Sequence, residues 1–442
     1  MRIFTLLLFL FTTNITFAQK NTAAFLQQYK FRTPNFRSAL VSGNANGGFG
    51  TSEGLGNAYN FSFNPKFEAV KIISTDKILA SYSYQASADF YHNKASFATG
   101  VQRNTNLNYS LSQSASKRNY KQSNYFQTGF STVLKQSFAK STNNYMEQDN
   151  SGFGFASYTV GFGKGRIENV TDAQMAYNIL NDLKKNNLLT ADFSDEDVNG
   201  LAKTITQINN TRLFDFRRKH IFELKQIDSF LNTKGLIKEK NIDYFTTVND
   251  NWFYAFNEFR RHGKEKFITL TPLLGLNNTK TIFNIIPVDS LSKSFSKFAL
   301  LTLSVGIEKA KALSIKKQFN KGLSLNTTYS YSMGKLTNNT ITNTFNGSNI
   351  LSSLIGYLQW GYYPTTRTNI NTAISNNFIW DYEGAQFNNN TFLSLAGNYF
   401  VNYNTRIFLN LYSNFNVAKS INADFNTAVS ASFAFGFQHY LR

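Results

Sequence analysis

Four histidines, His92, His220, His262 and His439, are the side chains in this chain best suited to base catalysis or metal ligation near neutral pH. Metal sites need clustered ligands, and none of the four has a second histidine within helical or strand reach. The sequence has no cysteine, which excludes a thiolate nucleophile, a Cys-ligated metal, a disulfide framework and a lipoprotein anchor. No metal, cofactor or catalytic residue is therefore expected. His92, with Asp89 nearby, is the one histidine that could act as a general base at an exposed strand end; a lone histidine in such a place is far more often structural. No Gly-x-Ser-x-Gly elbow and no phosphate loop occur. Gly161-Phe162-Gly163-Lys164-Gly165 is glycine-rich but opens no Walker pattern, and it reads as a place where a strand bends.

The elements that would hold these residues are mostly strands. Met1-Arg2, an apolar run from Ile3 to Phe11 and Thr16-Phe17-Ala18 make a secretory signal peptide, with cleavage expected after Ala18. No later segment is apolar for long enough to be a transmembrane helix. Aromatics reach 16 %, yet mean hydropathy is −0.31. That combination suits strands with one apolar and one polar face. The C-terminal third shows the alternation most clearly. Leu393, Leu395, Leu409, Leu411, Phe433 and Phe435 fall on one face, and Asn398, Asn410 and Asn414 on the other. The runs match the ~9–11 residues with which a tilted strand crosses a bilayer. Trp360, Tyr362, Trp380, Tyr399 and Tyr403 near strand ends suit interfacial girdles. The expected fold is an all-β transmembrane barrel, antiparallel, of about 14 strands (12–16), with an α-helical insert of about 100 residues. The expected divisions are 1–18, signal peptide; 19–39, N-terminal periplasmic arm; 40–163, strands 1–6; 164–265, periplasmic helical insert; and 266–442, strands 7–14. Lys335 to Asn349, Asp381 to Asn390 and Ala418 to Asn426 read as long extracellular loops, and Tyr363-Pro364-Thr365-Thr366 as a tight turn.

In the insert, Thr171 and Gln174 suggest a capping box. Ala176, Ile179, Leu180 and Leu183 follow at helical spacing. A second helix starts near Ser194 with the stripe Val198, Leu201, Ala202 and Ile205; a third carries Leu224, Ile227 and Phe230 and stops at Gly235; a fourth lies around Tyr244 to Arg261. Trp252, Phe253 and Phe256, in an aromatic cluster with Phe245, Tyr254 and Phe259, are the candidate surface for docking on the barrel or on a periplasmic protein. Gly165-Arg166-Ile167-Glu168-Asn169-Val170-Thr171-Asp172-Ala173, Asn210-Thr211-Arg212-Leu213-Phe214-Asp215 and Asn249-Asp250-Asn251-Trp252 resemble junctions in outer-membrane barrel proteins of the Bacteroidetes. The resemblance covers the insert and its flanking strands. It implies outer-membrane location and a periplasmic insert, and it supplies no catalytic residues because that group is defined by architecture. The chain departs from the proteobacterial terminal Phe: Phe437 is followed by Tyr440-Leu441-Arg442.

The formal net charge of +19 lies almost wholly outside the near-neutral insert. Nucleic acid is not the expected partner, because the cations are dispersed rather than gathered in a stripe. Lysines and arginines at the rims can meet lipopolysaccharide phosphates and outer-membrane lipid. Inward ones, with Arg367 and Arg406 as candidates beside Asn398, Asn410 and Asn414, can line the lumen and favour anions. The function expected is a porin-like channel or membrane scaffold with a periplasmic helical cap or docking module, and no enzyme. The alternative is a lipid- or lipopolysaccharide-modifying hydrolase on the barrel rim, built around His92.

Overall fold

The computed structural model describes residues 24–52, 56–97, 100–142, 146–211, 216–254, 260–285, 288–384, 386–402, 405–419 and 425–439. The expected signal peptide, Phe256 and Tyr440 to Arg442 lie outside these residues. Fourteen strands form one antiparallel sheet in which each strand pairs with its neighbours in sequence. They are β1 Thr33–Ser52, β2 Gly56–Ser74, β3 Ile78–Phe97, β4 Gly100–Lys121, β5 Asn124–Thr142, β6 Met146–Asn169, β7 Arg261–Ile285, β8 Val288–Ser314, β9 Lys317–Asn338, β10 Ile341–Thr365, β11 Thr368–Asp381, β12 Gln386–Asn402, β13 Thr405–Lys419 and β14 Asn426–His439.

Several strands run further than hydropathy suggested. The stretch from Lys335 to Asn349, expected as a loop, is a hairpin: β9 continues to Asn338 and β10 starts at Ile341. Asn339 makes the turn with a φ of 53°, a left-handed conformation that Asn tolerates. Thr337 and Thr342 then face each other with hydroxyls 3.1 Å apart. Polar Asn and Thr side chains marked the sequence as loop, but they pair across strands as well as apolar ones do.

The period-2 alternation stays in phase across the sheet. Phe162, Ile268, Val305, Leu325 and Leu354 stand in one row over β6 to β10. Leu395, Leu411 and Phe433 make another over β12 to β14. A slip of one residue in any pairing would have moved a whole strand's apolar set to the wrong face. The opposite face holds Ser110, Ser112, Ser114 and Ser116 on β4 and Asn410 and Asn414 on β13. From this polar face Arg118 on β4 reaches Glu265 on β7 at 2.8 Å, over two intervening strands. Tyr125 on β5 donates to the same carboxylate at 2.9 Å. The sheet therefore curls about its polar face and turns its apolar face outward. Among the described residues no ladder joins β1 to β14.

Between β6 and β7 the described residues form four helices: α2 Thr171–Lys185, α3 Asp195–Asn210, α4 Phe216–Thr233 and α5 Ile242–Tyr254. A short helix, α1 Ala24–Gln28, precedes β1. Ile179, Leu180, Leu183, Leu201, Ile205 and Ile227 are completely buried in one core, which also takes in Phe25, Leu26 and Tyr29 of the N-terminal arm and Ala312 of β8. The expected Thr171–Gln174 capping box is absent. Val170 is the N-cap residue and has no side-chain oxygen to offer, and the Thr171 amide is held by Asn169 Oδ1 at 2.9 Å. The capping box occurs at α3 instead, between Ser194 and Asp197. Gly235, at φ 64°, ends α4 as expected, with the Leu236 amide donating to Leu231 O at 3.1 Å. Gly165 and Gly263 sit at φ 94° and 133°, where β6 and β7 leave the sheet for the helices.

Candidate functional site

Two features meet at one end of the sheet: the polar inner face, and the helical unit set against the turns. The inner face carries the strand carboxylates. Glu68, Asp89, Glu147, Asp149, Glu265, Glu308 and Asp381 all share its parity in the strand register. Among the described strand side chains Glu168 is the one carboxylate with the outward parity, and beyond the bend at Gly165 it is taken up by Arg32 and Arg166. Most strand lysines are outward, including Lys71, Lys117, Lys164, Lys266, Lys309 and Lys321. The inward cations are few, and three of them are paired: Lys66 with Glu68 at 2.5 Å, Arg118 with Glu265 at 2.8 Å and Arg261 with Glu308 at 2.7 Å. The charge excess thus belongs to the outer face. A positive lumen, one of the two placements open from sequence, finds no support in this partition.

Of the expected lumen residues, Arg406, Asn410 and Asn414 share one face of β13, and Asn398 lies on the same face of β12. Arg406 donates to Gln438 Oε1 at 2.9 Å, and Asn398 to Asn369 Oδ1 at 3.0 Å. These side chains join neighbouring strands. Arg367 is placed differently. It occupies the turn between β10 and β11, and its guanidinium contacts both carboxylate oxygens of Asp250 on α5, at 2.8 and 2.9 Å.

Arg367–Asp250 is one of three latches, among the described residues, at the end of the sheet where the chain leaves for the helices. In the second, Arg260, fully buried, donates to Ser314 O at the β8–β9 turn (2.5 Å) and lies over the Tyr363 ring of β10 (5.2 Å). In the third, Arg32 contacts Glu168 at 2.9 Å and Asp76 at 2.8 Å, while Arg166 donates to Thr75 O and to Ser74 Oγ. The first two tie Asp250 of α5 and Arg260, just before β7, to the β10–β11 and β8–β9 turns, and the third ties the N-terminal arm and β6 to the β2–β3 turn. Of the expected docking aromatics, Trp252 and Phe253 make contacts within the unit, and Phe256 lies outside the described residues. Trp252 is buried within the unit and donates to Glu223 of α4 at 2.9 Å. Phe253 meets His220 edge-on, with ring centroids 5.9 Å apart. Sequence reading sought the seat in aromatics, whereas arginine and carboxylate form it. Arg166 and Glu168, two residues apart beside a glycine, were the only visible signal.

The N-terminal arm is tied to the same unit. Tyr29 Oη lies 2.6 Å from Thr206 Oγ1, which lies 2.5 Å from Asp172 Oδ2. Burial pushes the Asp172 carboxyl up to about 6, and the Thr206 hydrogen bond only partly opposes it. The folded arm therefore binds a proton that the unfolded chain, with an ordinary carboxylate, releases at lower pH. This contribution is fully present below the ordinary value of 3.8 and is lost as pH rises through about 6. Amide exchange at residues 24–30 should accelerate from pH 4 to 7 beyond the intrinsic chemical rate. In Asp172→Asn that excess should vanish; its persistence would assign the effect to another group.

His92 Nδ1 lies 2.8 Å from Thr105 Oγ1, and Tyr59 Oη lies 3.3 Å from His92 Nε2. Thr105 is the direct cross-strand partner of His92. Thr405 and His439, also direct partners, repeat the contact at 2.6 Å at the other end of the sheet. Adjacent Thr and His on paired strands suffice to produce it.

No family model and no curated protein matches the chain. Among solved structures, the ferric yersiniabactin uptake receptor FyuA of Yersinia pestis is similar at 7 % identity and a TM-score of 0.39; 93 % of this chain is covered and 62 % of the receptor, so this chain spans under two thirds of that protein's length. The toluene transporter TodX of Pseudomonas putida aligns at 8 % identity and a TM-score of 0.32, over 93 % of this chain and 91 % of that one. The translocator domain of autotransporter NalP of Neisseria meningitidis gives 7 %, 0.30, 83 % and 89 % in the same order. At these similarities the functional reading rests on this chain's own geometry.

Proposed function

We propose that the chain is an integral outer-membrane β-barrel channel whose inner face lines a hydrated lumen and whose helical unit caps the periplasmic mouth. The observation that carries this reading is the phase of the sheet. Across fourteen strands the outer face keeps its apolar side chains exposed, and the inner face keeps serine, asparagine and the carboxylates. A soluble sheet protein buries its apolar face; a bilayer-spanning one presents it to lipid. In hydrocarbon an unpaired strand edge is costly, and the even strand number leaves β14 antiparallel to β1, the orientation that closing an antiparallel barrel requires. The near-balanced inner face favours weak selectivity among small solutes over an anion-specific pore. The cap end is periplasmic because the N-terminal arm and all the short turns that hold the latches share it. Expressed with its signal peptide in a Gram-negative host, the protein should fractionate with the outer membrane and resist carbonate extraction. Recovery as a soluble periplasmic protein would end this reading. The rim-hydrolase alternative has the Thr105–His92–Tyr59 contacts in its favour, and their repetition at Thr405–His439 weakens it.

A further inference from the structure

The outer face holds a cluster of lysines that the protein itself does not neutralise. In the register, Lys164 on β6 stands directly opposite Lys266 on β7. Lys264 on β7 stands opposite Lys309 on β8, and Lys309 opposite Lys321 on β9. Like charges directly opposed across paired strands repel. A counter-charge placed among them relieves that repulsion. Among the described residues none of the five lysines has an ion pair, and the strand carboxylates have the parity of the other face except Glu168, which Arg32 and Arg166 already neutralise. The described residues offer no free carboxylate on this face, so an anion from outside the chain fits there.

The surroundings say what carries it. Immediately further from the turns, Phe162, Ile268, Val305, Ile307, Leu323 and Leu325 form the floor of a shallow groove of about 850 Å³, with Lys164 and Lys266 at its edge. The wall is almost entirely apolar, and Phe162 is 63 % exposed within it. In the register the order is fixed: a row of opposed lysines nearest the turns, then Lys164 and Lys266 beside Ile307 and Leu323, then a row of wholly apolar side chains. An anionic head followed by a hydrocarbon tail has the same order.

We propose that β6 to β9 form a binding site for an anionic phospholipid of the leaflet on the capped side. Its phosphate sits among Lys164, Lys266 and Lys309, and an acyl chain lies along Phe162, Ile268 and Val305. Long lysine stems lie on apolar surface while their ammonium groups reach the headgroup level, so this depth is the natural one for the contact. The same strands lead directly into the helical unit at Asn169 and Arg261, so a bound lipid braces the two strands from which the cap hangs. The site presupposes the membrane reading above.

The test uses full-length protein in detergent micelles with equal amounts of phosphatidylglycerol and phosphatidylcholine, bound lipid being counted by native mass spectrometry. Wild type should retain phosphatidylglycerol over phosphatidylcholine by at least about tenfold. The Lys164→Gln/Lys266→Gln/Lys309→Gln variant should bring the ratio close to one. Lys117→Gln removes an outward lysine from the same end of the sheet whose cross-strand partners, Ala80 and Thr128, carry no charge, and it should keep the preference. No preference in wild type, retention in the triple variant, or equal loss in the Lys117→Gln control would each overturn the site. Flotation with vesicles of phosphatidylcholine alone separates the two readings. A protein that floats but ignores phosphatidylglycerol loses only this site, whereas one that never inserts loses the membrane reading itself.

Discussion

Arginine in place of Leu409 should destabilise the folded protein in lipid by ~2–4 kcal/mol, whereas arginine at the adjacent Asn410 should cost far less. Leu409 lies near the middle of β13, on the outer face, between Gly397 of β12 and Phe435 of β14. A guanidinium there meets hydrocarbon on one side and finds no carboxylate among its cross-strand neighbours. Asn410 faces the inside, with Ala396 and Ala434 as its cross-strand neighbours. Those small side chains leave room for a longer one, and the lumen supplies water. Urea unfolding of both variants from phosphatidylcholine vesicles measures the difference. Equal damage at the two positions would mean that both faces of β13 are dry, which the proposed lumen forbids.

Much of this contrast is already legible in the chain. Period-2 alternation through Leu393, Leu395, Leu409, Leu411, Phe433 and Phe435 fixes the two faces of the last three strands, because strand geometry leaves no other periodicity. The helical stripes were equally plain: Ile179, Leu180 and Leu183 recur at a helix's spacing and are buried together. What escaped was long-range or local-polar in nature. The Asn- and Thr-rich hairpin from Lys335 to Asn349 has loop composition, and only pairing with β8 and β9 reveals it as strand. The latches join residues 117 apart for Arg367 and Asp250, and 136 apart for Arg32 and Glu168, so no spacing rule could connect them. Trp252 was read as a docking residue because it is large and apolar. Its indole nitrogen found Glu223 inside the unit, and the seat fell to charged residues. The sorting of charge by face was present in the sequence, since strand parity alone separates the carboxylates from most of the lysines. It became visible only once the bend at Gly165 and the exact strand boundaries were known.

The cap is the second place where a large effect is expected. Asn169 and Arg261 are paired residues at the ends of β6 and β7, and the Val170 amide donates to Arg260 O at 2.8 Å. The helical unit therefore leaves and re-enters the sheet at one point, and residues 171–259 can be replaced by a four-residue Gly/Ser turn without breaking the ladder. That replacement also removes Asp250, the partner of Arg367, and most of the core in which Phe25 and Leu26 are buried. Single-channel recording in planar bilayers, comparing the intact protein with this deletion, bears most directly on the proposal of a capped channel. The account predicts that the intact protein opens rarely or narrowly, and that the deletion gives larger and more frequent openings with weak ion selectivity. Identical conductance in the two forms, or no conductance in either despite correct insertion, would contradict it.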